Sequence, residues 1–133
     1  MIDFRMKYIV DSSAWIEYVE GSHLGQKVRE LIVNKEEIYV INLIIAEVIS
    51  AVKRKGYDVE IAYRAIVSNS KIANLTPPIA KEAGLLHAEI RKKIKTFGLA
   101  DSLILISAQH LDAKILTGDP HFKNFKNVVF LGK

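Results

Sequence analysis

Tyr8-Ile9-Val10-Asp11-Ser12-Ser13-Ala14-Trp15 is a short apolar run that stops on an acid and passes straight into residues suited to begin a helix. Three β-rich apolar residues are too few for a helix, and Asp followed by two Ser is N-cap chemistry. The unit reads as strand, acid, helix. The same arrangement returns late in the chain, where Ile115-Leu116-Thr117-Gly118 runs into Asp119-Pro120. Other short β-rich runs lie at residues 38–41 and 128–131, with a weaker one at 71–75. None alternates cleanly between apolar and polar, which is the pattern of strands covered on both faces of a parallel sheet. Helical stretches fall between them at 13–19, 24–33, 43–55 and 59–67, then at 78–95 and 99–111. The fifth opens on a proline and the sixth follows Gly98, both usual punctuation for helices. Strands alternating with helices predict an α/β fold, a three-layer α/β/α sandwich around a central parallel sheet.

That architecture gives the acids a place. In open α/β sheets the ligand crevice lies beyond the C-terminal ends of the strands, where Asp11 and Asp119 are expected. Glu47 sits inside Leu43-Ile44-Ile45-Ala46-Glu47-Val48-Ile49, and Asp101 opens Leu99-Ala100-Asp101-Ser102-Leu103-Ile104. Both helical acids lie near helix starts that follow this edge, so they are predicted to face it too. The chain has six Asp in all, and three of them occupy such positions. A carboxylate among apolar groups either raises its pKa or acquires a positive partner. No Lys, Arg or His lies within three residues of Glu47 or Asp101. If the four acids meet, a divalent metal is the simplest partner. With no cysteine, its ligands are oxygen or imidazole, and a carboxylate-rich set suits Mg²⁺ or Mn²⁺.

Three of the four acids also have an ordinary structural explanation. Asp11 reads as a helix N-cap, Asp101 as a first-turn acid favoured by the helix dipole, and Asp119 before Pro120 as a turn starter. Glu47 has none, because its apolar neighbours cover most of the helix circumference and predict a largely buried helix. Ser12 and Ser13 either support Asp11 or simply start a helix, and Thr117 either bonds the acids or ends a strand. His23, His87, His110 and His121 lack metal-ligand spacing. His87 and His110 read as surface or rim residues, and His121 as a turn histidine. Trp15 and the tyrosines follow core or half-buried patterns.

The 133 residues are half hydrophobic, enough for one domain with a proper core. Residues 7–133 are expected to form it, with 1–6 as an N-terminal extension. No apolar run approaches a membrane span and the start lacks signal-peptide architecture, so a cytoplasmic address is expected. The formal net charge is +4. Taking the four acids from fifteen leaves eleven against nineteen Lys and Arg, so the surround carries +8. Basic residues cluster at Lys53-Arg54-Lys55, at Arg91-Lys92-Lys93 with Lys95, and at Lys123 with Lys126. Lys53, Arg54, Arg91, Lys92 and Lys123 are the candidates to grip a phosphate backbone. Each cluster alone reads more readily as a solvated helix end, since charge runs are common.

The ordered set Ile-Val-Asp-Ser-Ser-Ala-Trp-Ile, Ala-Glu-Val at 47, Leu-Ala-Asp-Ser-Leu-Ile at 101 and Leu-Thr-Gly-Asp-Pro-His-Phe at 119 resembles PIN-domain ribonucleases. The resemblance is greatest to small stand-alone toxins of the VapC type, and it runs from about residue 7 to 131. It implies a parallel sheet between helices and an Mg²⁺- or Mn²⁺-dependent endonuclease site for single-stranded or structured RNA. Carried over by position, Asp11, Glu47, Asp101 and Asp119 fall on the acidic quartet that holds the metal and carries catalysis, with Ser13 and Thr117 supporting. The sequence departs at His121, where many relatives have another acid. The resemblance further implies a homodimer and silencing by a cognate antitoxin protein. Competing readings are a housekeeping RNA-processing nuclease and a non-cleaving RNA-binding regulator of the same fold. A phosphoacceptor receiver lacks its early acidic pair here, and an Asp-x-Asp phosphatase fails at Ser13.

Overall fold

In the computed structural model residues 5–132 are described, so residues 1–4 of the expected extension lie outside them, as does residue 133. Met6 lies just before the first strand, its carbonyl accepting from the Glu37 amide at 3.0 Å and its own amide donating to Glu36 at 2.7 Å. β1 (Lys7–Val10) follows, then α1 (Ser12–Val19), α2 (Gln26–Val33) and β2 (Glu37–Val40). Next come α3 (Asn42–Arg54), α4 (Val59–Asn69), the two-residue β3 (Lys71–Ile72) and α5 (Pro77–Arg91). α6 (Leu99–Leu111), β4 (Lys114–Thr117) and β5 (Val128–Phe130) complete the described chain. Single 3₁₀ turns occupy His23–Gly25 and Pro120–Phe122.

All strand pairings are parallel and the sheet order is β3-β2-β1-β4-β5. The chain steps outward from β1 through β2 to β3, then returns across the sheet to β4 on β1's other side. Right-handed crossovers in opposite directions put their helices on opposite faces. α1 packs with α2, α3 and α4 in one layer, while α5 pairs with α6, which lies on β1 and β4 in the other. The expected three-layer sandwich is present. β1 is the central strand with β4 beside it, and their residues Ile9, Val10, Ile115 and Leu116 between the layers are 2% exposed or less. The direction of winding reverses between these two strands, which is where such sheets open a crevice.

Three expectations need correction. The helix expected over 78–95 ends at Arg91, and the chain then turns to bury Phe97 completely. Burying a Phe is worth roughly 1.5–3 kcal/mol, enough to favour that turn over further helix. The stretch at 24–33 opens as a 3₁₀ turn, capped by the Ser22 hydroxyl accepting from the Gly25 amide at 3.3 Å. α3 is not buried all round. Ile44, Val48 and Val52 face the core, whereas Asn42, Ala46 and Ser50 are exposed.

Candidate active site

Asp11 is the first residue past β1 and takes the N-cap backbone position of α1, yet its carboxylate makes no capping bond. It turns instead toward β4. Its Oδ2 accepts from the Thr117 hydroxyl at 2.8 Å and from the Ser13 hydroxyl at 3.3 Å. Ser13 Oγ accepts in turn from the Gly118 amide at 3.0 Å, and Thr117 Oγ1 from the Asp119 amide at 2.9 Å. The Asp11 amide donates to the Leu116 carbonyl at 2.9 Å, extending the β1–β4 ladder by one rung and fixing the register. Asp11 is only 4% exposed. Burial pushes its carboxyl above the ordinary range, and the charge of Asp119 adds to that; Thr117, the Ser12 backbone and Ser13 oppose it.

Glu47 lies in the second turn of α3, half-buried where the core face meets the exposed one. Burial is the main cause of its raised pKa, followed by the charge of Asp11, with Asp101 and Asp119 also contributing and the Ser12 side chain opposing. Asp101 is the third residue of α6, and its Oδ2 accepts from the Gly98 amide at 3.1 Å. The acid thus does satisfy a free helix-start amide. A Cβ on residue 98 would stand 3.3 Å from this oxygen, so glycine leaves the carboxylate room. Burial again raises the pKa most. The Gly98 amide and His121 oppose the rise, while Asp119 and Asp11 reinforce it. Asp119 caps its 3₁₀ turn, Oδ1 accepting from the His121 amide at 2.9 Å.

The four acids from four elements therefore share one edge and sense one another's charge. Two carboxylates about 4 Å apart repel by about 4 kcal/mol at an effective dielectric near 20. The ion pairs of Lys55, Lys71 and Lys92 run elsewhere, to Glu20, Glu37 and Glu89, and among the described residues no Lys or Arg pairs with the four.

His121 is the residue that sequence reasoning set aside as a turn histidine. Its Nδ1 is 3.0 Å from Asp119 Oδ1 and 3.8 Å from Asp101 Oδ2. Its Nε2 is 3.1 Å from Thr96 Oγ1 on the connector between α5 and α6. Ligand atoms of Asp101, Asp119 and His121 all lie within 4.8 Å of one another. Phe97, beside Thr96, meets the His121 ring edge-on, with centroids 6.3 Å apart and planes at 87°. The signal for His121 was present in Asp119-Pro120-His121, since a capped 3₁₀ turn folds the residue two positions on back toward its cap. Thr96 carried no such signal.

Of the basic candidates, Arg54 shares a groove of about 450 Å³ between α1 and α3 with Ser12, Ile16, Glu47 and Ser50. Lys53, Arg91, Lys92 and Lys123 are exposed. His87 and His110 lie apart from the site; His87 holds the Phe97 carbonyl at 3.2 Å and His110 pairs with Glu82 at 2.8 Å. A cleft of about 460 Å³ opens elsewhere, lined by Gln109, Asp112, Asn124 and Lys126 among others, and includes none of the four acids. Among the described residues no helix is long and apolar enough to cross a membrane.

Known structures share this fold. A chain of a toxin–antitoxin complex from Klebsiella pneumoniae superposes with a TM-score of 0.73 at 21% identity, covering 92% of this chain and 95% of that one. A chain of VapBC2 from Rickettsia felis, bound to a DNA fragment from its promoter, gives 0.73 at 20% identity with 94% and 97% covered. VapC20 from Mycobacterium tuberculosis, described as a sarcin-ricin loop cleaving toxin, gives 0.71 at 16% identity with 91% and 96% covered. At these identities the likeness is one of fold. No curated protein sequence matches the chain. The PIN domain family description matches residues 8–128. With that match running from β1 into β5, through every acid of the site, the chain belongs to the PIN-domain family.

Proposed function

We propose that this protein is a divalent-metal-dependent endoribonuclease that acts as the toxin of a toxin–antitoxin pair, cutting single-stranded or structured RNA. The observation that carries the reading is the meeting of Asp11, Glu47, Asp101 and Asp119 at one sheet edge, three of them with raised pKa and none paired with Lys or Arg among the described residues. Such a set is electrostatically incomplete, and its oxygen donors and single imidazole fit a small divalent cation such as Mg²⁺ or Mn²⁺.

That cation, when bound, supplies Lewis-acid stabilisation of the scissile phosphate and activation of the attacking water. The protein's own side chains do the rest. Asp11 and Asp101 are the direct metal contacts in this reading, with Glu47 and Asp119 completing the shell directly or through waters. Thr117 and Ser13 hold Asp11 in one orientation through hydrogen bonds of 2.8 and 3.3 Å. Ligands held in this way bind metals more tightly than free-swinging ones. Arg54, in the groove that begins at Glu47, holds a backbone phosphate beside the cut without reading sequence. Lys53, Arg91, Lys92 and Lys123 add a diffuse positive field that steers RNA to the edge.

The structural relatives are toxin and antitoxin proteins by description, which supports a protein antitoxin as partner. A homodimer in the cytoplasm is part of the same reading. The test is direct. Purified protein incubated with RNA and Mg²⁺ or Mn²⁺ is expected to release internal fragments, and to release none with chelator. RNA binding without any metal-dependent cut would leave a non-cleaving regulator instead.

A further inference from the structure

We infer that His121 donates a nitrogen ligand, through Nδ1, to the cation at this edge, and that this tilts the site toward first-row transition ions such as Mn²⁺ over Mg²⁺. The inference rests on the metal-dependent reading above and adds to it a donor that the acidic quartet lacks.

The geometry is that of a held ligand. Nδ1 faces Asp119 Oδ1 at 3.0 Å and Asp101 Oδ2 at 3.8 Å, so three donor atoms surround one small volume. The ring cannot swing freely, because Nε2 is tied to Thr96 Oγ1 at 3.1 Å and Phe97, fully buried, packs edge-on against it. A threonine hydroxyl both donates and accepts. Without a cation, Nδ1–H donates to Asp119 while the Thr96 hydroxyl donates to Nε2. With a cation on Nδ1, the ring proton sits on Nε2 and the same hydroxyl accepts it. Thr96 therefore supports either tautomer without moving, the service that metal-bound histidines usually draw from a neighbouring oxygen. Mg²⁺ prefers oxygen ligands and keeps its waters, whereas transition ions take imidazole readily. One nitrogen among carboxylates thus separates the two kinds of ion.

The experiment is pulsed electron paramagnetic resonance on the whole protein loaded with Mn²⁺, together with Mn²⁺ and Mg²⁺ titrations by calorimetry. Wild type is expected to give the nitrogen coupling of a coordinated imidazole, and His121→Ala to lose it. His121→Ala should weaken Mn²⁺ by about 10- to 100-fold and Thr96→Val by about tenfold, in line with the loss of ligand-orienting groups, while Mg²⁺ changes less than about threefold. Mn²⁺ bound without nitrogen coupling, at equal affinity in wild type and His121→Ala, overturns the inference and leaves the nuclease reading intact. Failure of any divalent ion to bind overturns both.

Discussion

Asp11 and Asp119 end neighbouring parallel strands at the same edge of the sheet, yet the protein treats them differently. Asp11 is 4% exposed, makes no side-chain capping bond and is held by the hydroxyls of Ser13 and Thr117. Asp119 keeps 28% of its side chain exposed, caps its own turn and touches a histidine. One acid is fixed by its surroundings, the other caps a single 3₁₀ turn of three residues. The buried member of a polar pair sets geometry because hydrogen bonds are strongest where water is absent. On the proposed function, the exposed member is the one open to substrate.

This contrast is broken most severely at Asp11. Asp11→Asn keeps the shape and the Thr117 bond but removes the charge, and is expected to lower cleavage by about a thousandfold, equivalent to about 4 kcal/mol of lost metal-assisted stabilisation. In chelator its melting temperature should match or exceed wild type. A clear loss of stability would make Asp11 a structural residue. Next, Thr117→Val removes the hydroxyl that serves Asp11 and Asp119 together. Activity should fall about 10- to 100-fold, with partial recovery in Thr117→Ser. Equal activity in all three would show that the orientation of Asp11 does not depend on this bond.

Asp101 sharpens the comparison, because it caps a helix and bears charge at once. Asp101→Asn can still accept from the Gly98 amide, whereas Asp101→Ala cannot. In metal-free buffer the Ala variant should therefore be less stable than the Asn variant by about 1 kcal/mol, the usual worth of such a cap, although both lose cleavage. Identical melting curves would remove capping from the account.

The smallest effect concerns pH. Asp11, Glu47 and Asp101 have pKa values raised in the folded chain, mainly by burial. The folded state then holds protons better than the unfolded one. Stability from these groups is fully present below their unfolded pKa values and is lost as pH rises through the raised folded ones. Metal-free wild type should thus melt slightly higher just above the ordinary carboxylate range than at neutral pH, with the difference reduced in Asp11→Asn. Saturating Mn²⁺ should reverse the order, since deprotonated ligands bind metal best.

Much of this was legible in the residues. Gly98 before and Asp112 after set α6, the helix read most accurately, and Asp112 takes the left-handed conformation at φ 55° that ends it. The strand-end acids were legible because a parallel sheet allows one kind of crevice. Glu47 was picked out for a reason only partly right. Its helix has an exposed face, and the acid is half-buried at the boundary rather than enclosed. Thr96 stayed hidden because the fifth helix was read too long, which placed residues 92–95 in regular structure and took attention from the connector. His121 meets it across 25 residues, a distance over which local patterns carry no information.

The bond between Thr117 and Asp11 spans 106 positions of the chain. β1 sits at the centre of the sheet and is made well before β4, the strand whose end carries its partner. A fragment released early, from a broken message or a stalled ribosome, carries Asp11 and Glu47 but has nothing to align them. On the proposed function, cleavage cannot begin before β4 has been made and has brought Thr117 to Asp11.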